Sequence, residues 1–164
     1  MDAFSAKLVA RVSQFLASLA LLLSLAVMAG YVAHVPQLIT VLPGLQGMSI
    51  LTAIGIATNA ALLLTAGRGW EKQRQAATLT IAAMAALILL SHALAGADIL
   101  SPLLAGRLFG LPQAGAGKTS VATALCLALL ALSQRPRPGQ NARRADRLAG
   151  ATLFITGAAL LGYT

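Results

Sequence analysis

Two histidines are the side chains of this sequence best suited to bind a cofactor. His34 and His92 each lie near the end of an apolar stretch. Imidazole binds haem iron, and two facing histidines can hold one b-type haem, whereas a chlorophyll-type pigment needs only one ligand. If the two stretches are neighbours in the fold, the pair predicts a haem or pigment site. The alternative, which we favour because histidine is common at such positions, is two packed or solvated histidines and no cofactor.

A few other polar residues stand out against the apolar background. Asn59 lies inside an apolar stretch, where a buried amide needs a hydrogen-bond partner, so we expect Asn59 to face another helix. Asp98 follows His92 closely, which allows a pH-sensitive pair, although a solvated loop carboxylate is the more common arrangement. No charged residue lies deep within an apolar stretch, so the sequence does not favour a proton relay or a transporter.

The segment GAGKTS (115–120) resembles a phosphate-binding loop. That motif needs a glycine five positions before Gly117, and this position is occupied by Pro112. The sequence instead predicts a flexible lead into the next helix, with Thr119 or Ser120 as its N-cap. Because the residues for phosphoryl transfer are missing from the sequence, we expect no enzymatic activity.

Composition predicts the elements that must hold these residues. Of the 164 residues, 58% are hydrophobic and 10% are charged, whereas about 25% of a soluble domain is charged. Lipid cannot satisfy an open backbone, so the five apolar blocks are expected to be helices, at about 13–33, 48–66, 76–95, 115–133 and 148–164. We therefore predict an all-α polytopic membrane protein, with a cytoplasmic segment 1–12 and a domain 13–164 of five transmembrane helices.

The basic residues predict how these helices are oriented. All but two of the twelve lie on one side of the five blocks, with Arg107 and Lys118 on the other. The positive-inside rule then places the N-terminus in the cytoplasm and the C-terminus on the opposite side of the membrane. Tyr31 and Tyr163 are expected at the outer interface, and the residues expected at the inner lipid headgroups are Arg68, Trp70, Lys72, Arg74, Arg135, Arg137, Arg143, Arg144 and Arg147. The absence of interleaved aromatic residues argues against a nucleic-acid partner.

The chain carries an internal repeat of helical hairpins. Segments 48–64 and 119–135 align without gaps, and Ser49 then matches Ser120. A third copy starts at Arg147 and is cut in half; the alternative is that any two helices rich in alanine and leucine align. Small residues four positions apart let helices approach closely, and those expected to pack in this way include Ala53, Ala57, Ala124, Ala128 and Gly162.

In this pattern a helix ends in Gly30 and Tyr31, a variable loop follows, and the next helix opens with Met48 and a Ser/Thr-rich turn. It resembles the N-terminal membrane module of bacterial sensor histidine kinases and diguanylate cyclases, and the resemblance covers most of residues 11–164. Such a module would continue past Thr164 into a sixth helix and a cytoplasmic PAS, kinase or cyclase part. The resemblance implies a sensory role for this chain in a bacterial inner membrane and no catalysis by it.

Together these features predict a non-catalytic membrane module that senses or anchors in a bacterial signal-transduction protein. Its expected partners are membrane lipids and other transmembrane helices, in a homo-oligomer or a larger complex. A lipid, a small apolar ligand or the state of the membrane would shift the packing of the helices. One alternative is a small accessory subunit of a photosynthetic or respiratory membrane complex, and another is a haem- or pigment-binding helical membrane protein.

Overall fold

A computed structural model describes residues 3–40, 47–65, 70–110 and 118–134. Within these ranges all regular secondary structure is helical, which confirms the predicted all-α class. The six helices there are α1 (Ala3–Ala33), α2 (Pro36–Ile39), α3 (Ile50–Leu64), α4 (Glu71–Ala95), α5 (Leu100–Phe109) and α6 (Val121–Ser133). The fifth predicted span, 148–164, lies outside the described residues.

Two of the described helices are long and apolar enough to cross a membrane. They are α1, over the 23 residues Arg11–Ala33, and α4, over the 25 residues Glu71–Ala95. A crossing needs about 20 apolar residues, whereas α3 has 15 and α6 has 13. The described part of the chain thus contains two candidate spans, and the other three expected spans stay predictions.

Helix boundaries differ from the expected ones at three places. α1 begins at Ala3, so the helix takes in most of the expected segment 1–12. α4 begins at Glu71 instead of residue 76, because polar residues 71–75 are good helix formers and Glu71 suits the first turn. The expectation of a helix from residue 115 is wrong for residues 118–120, because Ser120 has an extended backbone and α6 begins only at Val121.

α3 and α6 begin with the same cap. Ser49 Oγ accepts the backbone N–H of Thr52 at 3.0 Å, and Ser120 Oγ accepts that of Thr123 at 3.1 Å. In both caps the serine and threonine hydroxyl oxygens lie 2.9 Å apart. The expectation of Ser120 as an N-cap is thereby confirmed, and two positions that the repeat aligns have the same local geometry.

Two short helices lie in segments that the sequence predicts as loops. α5 begins after Asp98, and Pro102 lies in its first turn, where the missing N–H has no helical partner to lose. α2 packs against the end of α1, and α5 contacts both α1 and α3. The two short helices α2 and α5 therefore cover this end of the bundle, which we call the Asp98 end.

A tight turn at the end of α1 places α2. His34 has a φ of 55°, and the N–H of Val35 donates to the carbonyl oxygen of Gly30 at 2.9 Å, as in a Schellman motif. A Cβ on Gly30 would lie only 2.7 Å from Leu38 Cβ, so glycine is what allows the two helices to approach. The turn thus depends on the absence of a side chain at residue 30.

The helices pack mainly as two pairs, α1 with α3 and α4 with α6, and α3 also contacts α4 and α6. Gly55 brings α3 close to α6, because a Cβ there would lie 2.9 Å from Leu127 Cδ1. Two apolar clusters form the core. The first includes Val27, Tyr31, Ile50, Ala53, Ile88 and Ala124, and the second includes Leu62, Ile81, Ala85, Leu127 and Ala131.

Candidate functional site

Five buried polar side chains meet at the Asp98 end. They lie at the start of α3, before and within α5, and just before α6, and we call them the hydroxyl–carboxylate cluster: Ser49, Thr52, Asp98, Ser101 and Thr119. Asp98 is 3% exposed. Since a buried carboxylate needs compensating hydrogen bonds, the partners of Asp98 decide what the cluster can do.

Asp98 accepts hydrogen bonds from two segments of the chain. Its Oδ1 accepts the N–H of Ser101 at 3.1 Å, and its Oδ2 accepts the Ser101 hydroxyl at 2.5 Å and the N–H of Thr119 at 2.7 Å. The Thr119 hydroxyl lies 3.2 Å from Ser101 Oγ, 3.2 Å from Thr52 Oγ1 and 2.5 Å from Ser49 Oγ. A continuous chain of hydrogen bonds therefore links α3, α5 and the start of α6.

These bonds control the ionisation of Asp98. Burial raises the pKa of its carboxyl, but the hydrogen bonds donated by Ser101 and Thr119 outweigh burial and hold the pKa below its ordinary value. The first turn of α5 adds positive partial charge from its free N–H groups. Asp98 is thus a charged acceptor at neutral pH.

The cluster holds segments together and has little capacity for chemistry. Each hydroxyl already bonds to another member, so the oxygens do not converge on an open position. In the ranges that the structure describes, no group of three or more His, Cys, Asp or Glu side chains is arranged to hold a metal ion. The arrangement is that of a structural clamp across three helix ends.

Sequence reasoning missed the role of Asp98. The expectations of a solvated loop carboxylate and of a pair with His92 are wrong, because Asp98 is buried and bonds to Ser101 and Thr119. A local signal was present, since an acidic residue three positions before Ser101, with Pro102 next, is typical of a helix start. The contact with Thr119 depends on tertiary structure and has no such signal.

The two histidines occupy different settings. His34 is exposed, in the left-handed position that ends α1. His92 is half-buried in the last turn of α4, and its Nδ1 lies 3.0 Å from the carbonyl oxygen of Ile88. Because a carbonyl only accepts, Nδ1 carries the proton and Nε2 is the nitrogen left for a ligand. Among the described residues no hydrogen bond joins the histidines, and a haem or pigment site stays a prediction.

Asn59 connects two helices. Its side chain is buried, and Nδ2 donates to the carbonyl oxygen of Gly55 at 2.9 Å. Its Oδ1 accepts Gln134 Nε2 at 3.0 Å, and Gln134 directly follows α6. The amide therefore links α3 to the end of α6, at the end of the bundle opposite Asp98.

The small residues expected at helix contacts have unequal burial. Ala53 and Ala124 are fully buried in the first apolar cluster. Ala57 and Ala128 are half-buried, and Ala128 packs against the second cluster. Gly162 lies outside the described residues.

Three of the residues expected at lipid headgroups are described. Trp70 precedes α4 and is 54% exposed, and Lys72 is also exposed. Arg74 is half-buried, and its Nε is buried without a hydrogen-bond partner. The others lie outside the described residues: Arg68, Arg135, Arg137, Arg143, Arg144 and Arg147.

Tyr31 lies near the end of α1, and its expected depth at the outer membrane interface stays a prediction. Its side chain is fully buried, and its hydroxyl donates to the carbonyl oxygen of Met48 at 2.9 Å. Its ring centroid lies 5.9 Å from that of Phe109 in α5. Tyr31 thus joins α1 to the segment before α3 and to α5. Tyr163 lies outside the described residues.

Comparison with known proteins found no matching family model, no matching curated protein and no matching solved structure. A functional proposal for this chain therefore rests on its sequence and on the geometry of the described residues.

Proposed function

We propose that the chain is a non-catalytic integral membrane module that senses or anchors in a bacterial signal-transduction protein. The observation that carries this proposal is the outward-facing apolar surface of α1 and α4. Its exposed residues include Val12, Phe15, Leu16, Leu19, Leu22, Leu23, Leu25 and Val32 on α1 and Leu79, Leu87, Leu90 and Leu94 on α4. Soluble proteins rarely expose an apolar surface of this length to water, whereas membrane helices expose such surfaces to lipid acyl chains.

The distribution of charge supports a location in the inner membrane. Arg11 precedes the long apolar part of α1, and Lys72 and Arg74 lie at the start of α4. By the positive-inside rule these residues favour the cytoplasmic side. The Asp98 end, near Arg107 and Lys118, would then face outward.

The packing of the helices supports a mechanism for the sensory role. Contacts are more extensive within the pairs α1·α3 and α4·α6 than between them. A small shift of one pair against the other would disturb fewer contacts than a shift within a pair, and it would act against the bonds between Ser49 and Thr119 and between Asn59 and Gln134 that link α3 to the ends of α6. A signal would have to bind the two arrangements with different affinities in order to change their populations.

The anchoring part is tested by membrane extraction. We expect the chain to sediment with membranes, to resist extraction by alkaline carbonate and to enter solution only with detergent, because α1 and α4 expose apolar surface. A chain that stays in solution without detergent would overturn the whole proposal.

The sensory part is tested by changing the contact between the pairs. We expect Gly55→Val to shift the basal output of the signalling protein that carries this chain, because even a Cβ at residue 55 meets Leu127 and Met84 within 3.2 Å. Ala83→Val, at an exposed position of α4, is the matched control and should leave the output unchanged. If the output responds identically after removal of residues 1–164, only the anchoring role remains.

A further inference from the structure

Three buried polar atoms at the end of the bundle opposite Asp98 have no hydrogen-bond partner. They are Arg74 Nε, Thr78 Oγ1 and Gln134 Oε1. Arg74 and Thr78 lie one turn apart on α4, and Gln134 follows α6, which packs on α4. The bond between Asp98 and Thr119 joins the end of α4 to the start of α6, so the pair is antiparallel. The three atoms therefore share one end, which we call the Arg74 end.

Thr78 differs from other threonines in these helices. The hydroxyl of Thr58 donates to the carbonyl oxygen of Ile54 at 2.8 Å, and that of Thr80 donates to Ala76 at 3.0 Å. Thr78 is 1% exposed and makes no such bond to its own helix. A buried hydroxyl without a partner carries a desolvation cost that a bound ligand would remove.

Arg74 also differs from its neighbours. Residues 71–73 are exposed, whereas Arg74 is half-buried one turn before Thr78. Arg74 Nε and the Thr78 hydroxyl offer donors, while Gln134 offers an acceptor because its Nε2 already donates to Asn59. A ligand that satisfies all three atoms must carry both a hydrogen-bond acceptor and a hydrogen-bond donor, and the positive charge of Arg74 favours an anionic acceptor.

We propose that these three side chains bind a phospholipid whose headgroup carries a hydrogen-bond donor, as in phosphatidylethanolamine. The phosphate oxygens accept from Arg74 and Thr78, a pairing that guanidinium groups favour. The ammonium group donates to Gln134 Oε1. Exposed Trp70 precedes the long apolar helix α4 by one residue, which is where an interfacial ring and lipid headgroups meet. This lipid site rests on the proposed function, because it requires the chain to lie in a membrane.

Trp70, the only tryptophan in the sequence, supplies the measurement. Detergent-solubilised full-length chain is titrated with phosphatidylethanolamine or phosphatidylcholine, each with brominated acyl chains that quench tryptophan. We expect phosphatidylethanolamine to bind about tenfold more tightly, because the quaternary ammonium of phosphatidylcholine donates no hydrogen bond to Gln134. Equal affinity for the two lipids would overturn the proposal.

Matched variants test the individual donors. Thr78→Val keeps the shape of the side chain and should weaken phosphatidylethanolamine binding about tenfold, whereas Thr80→Val, whose hydroxyl bonds its own helix, should not. Arg74→Lys keeps the charge, loses Nε and should also weaken binding, with helicity by circular dichroism showing that each variant is folded. Equal binding by both threonine variants would refute the site.

A soluble competitor separates lipid from free phosphate. Inorganic phosphate at millimolar concentration should not displace the lipid, and complete displacement would show a phosphate site instead. Failure of the lipid site is distinct from failure of the proposed function, because the chain would still sediment with membranes.

Discussion

The carboxylate of Asp98 joins parts of the chain that are 21 residues apart, from the segment before α5 to Thr119 before α6. Its three hydrogen bonds come from two backbone N–H groups and one hydroxyl, and none is exposed. Charged acceptors form stronger hydrogen bonds than neutral ones. At the scale of single residues, Asp98 is therefore the side chain whose removal should most weaken the Asp98 end.

We expect stability to depend on the ionisation of Asp98. Because the pKa of its carboxyl is lowered in the folded state, its contribution is present above the pKa of the unfolded chain, about 3.9. It is lost as pH falls through the lower folded pKa. The thermal midpoint in detergent, followed by circular dichroism from pH 8 to pH 2, should hold near neutrality and fall in acid.

Asp98→Asn tests the cause of that acid dependence. The amide has no charge, and only one of its two polar atoms can accept a hydrogen bond. We expect the free energy of unfolding at neutral pH to fall by about 1.5–3 kcal/mol. We also expect the thermal midpoint of this variant to fall less in acid than that of the unchanged chain. Glu71→Gln, at an exposed position in the first turn of α4, is the control and should change both much less than Asp98→Asn does. If the thermal midpoint of Asp98→Asn falls in acid as steeply as that of the unchanged chain, other groups cause the loss of stability in acid.

At the scale of helices, two glycines allow close approach by different means. A Cβ on Gly30 would meet Leu38 Cβ at 2.7 Å and the backbone nitrogen of Ile39 at 3.3 Å, and neither atom can move without the backbone. A Cβ on Gly55 would meet the ends of Leu127 and Met84, which are flexible. We expect Gly30→Ala to lower the free energy of unfolding by about 1–3 kcal/mol and Gly55→Ala to lower it clearly less, because the side-chain ends of Leu127 and Met84 can move aside. Chemical denaturation in detergent measures both, and the reverse order would contradict this account.

The bond between Asn59 and Gln134 should stabilise the contact between α3 and the end of α6. In a double-mutant cycle of Asn59→Ala and Gln134→Ala, we expect a coupling of about 0.6–1.7 kcal/mol. Thr58→Ala replaces Asn59→Ala in the control cycle, because the Thr58 hydroxyl bonds its own helix. In this control cycle we expect no coupling energy between Thr58→Ala and Gln134→Ala. Equal coupling in both cycles would mean that the Asn59 amide is not the link.

Helices that depend on composition were predictable, and helices that depend on tertiary contacts were not. α1 and α4 follow from long apolar runs, and α4 ends at Ala95 as expected. α5 has only 10 residues, and its apolar residues do not fill a span. Its position depends on Asp98 and Tyr31, whose partners come from other segments. The buried cluster could not be foreseen for the same reason.

At the scale of the whole molecule, the two ends of the described bundle differ. At the Asp98 end, α2 and α5 cover the helix ends and polar side chains bond to one another. At the Arg74 end, polar atoms of Arg74, Thr78 and Gln134 have no partner. Fewer side-chain hydrogen bonds join the described helices at the Arg74 end, where Gln134 bonds to Asn59, so the proposed lipid would shift the bundle mainly there. Under the proposed function, that shift would pass a membrane signal to a partner on the Arg74 side.

The direction of that transfer depends on which end faces the cytoplasm. In a Cys126→Ala background, which removes the only native cysteine, we place single cysteines by Gln73→Cys and Lys118→Cys, both at exposed positions. Gln73 lies at the Arg74 end and Lys118 at the Asp98 end. A membrane-impermeant maleimide should label residue 118 in intact spheroplasts and residue 73 only after permeabilisation, because basic residues stay inside. Labelling in the opposite order would place the Arg74 end outside, and a cytoplasmic output partner could then not contact it.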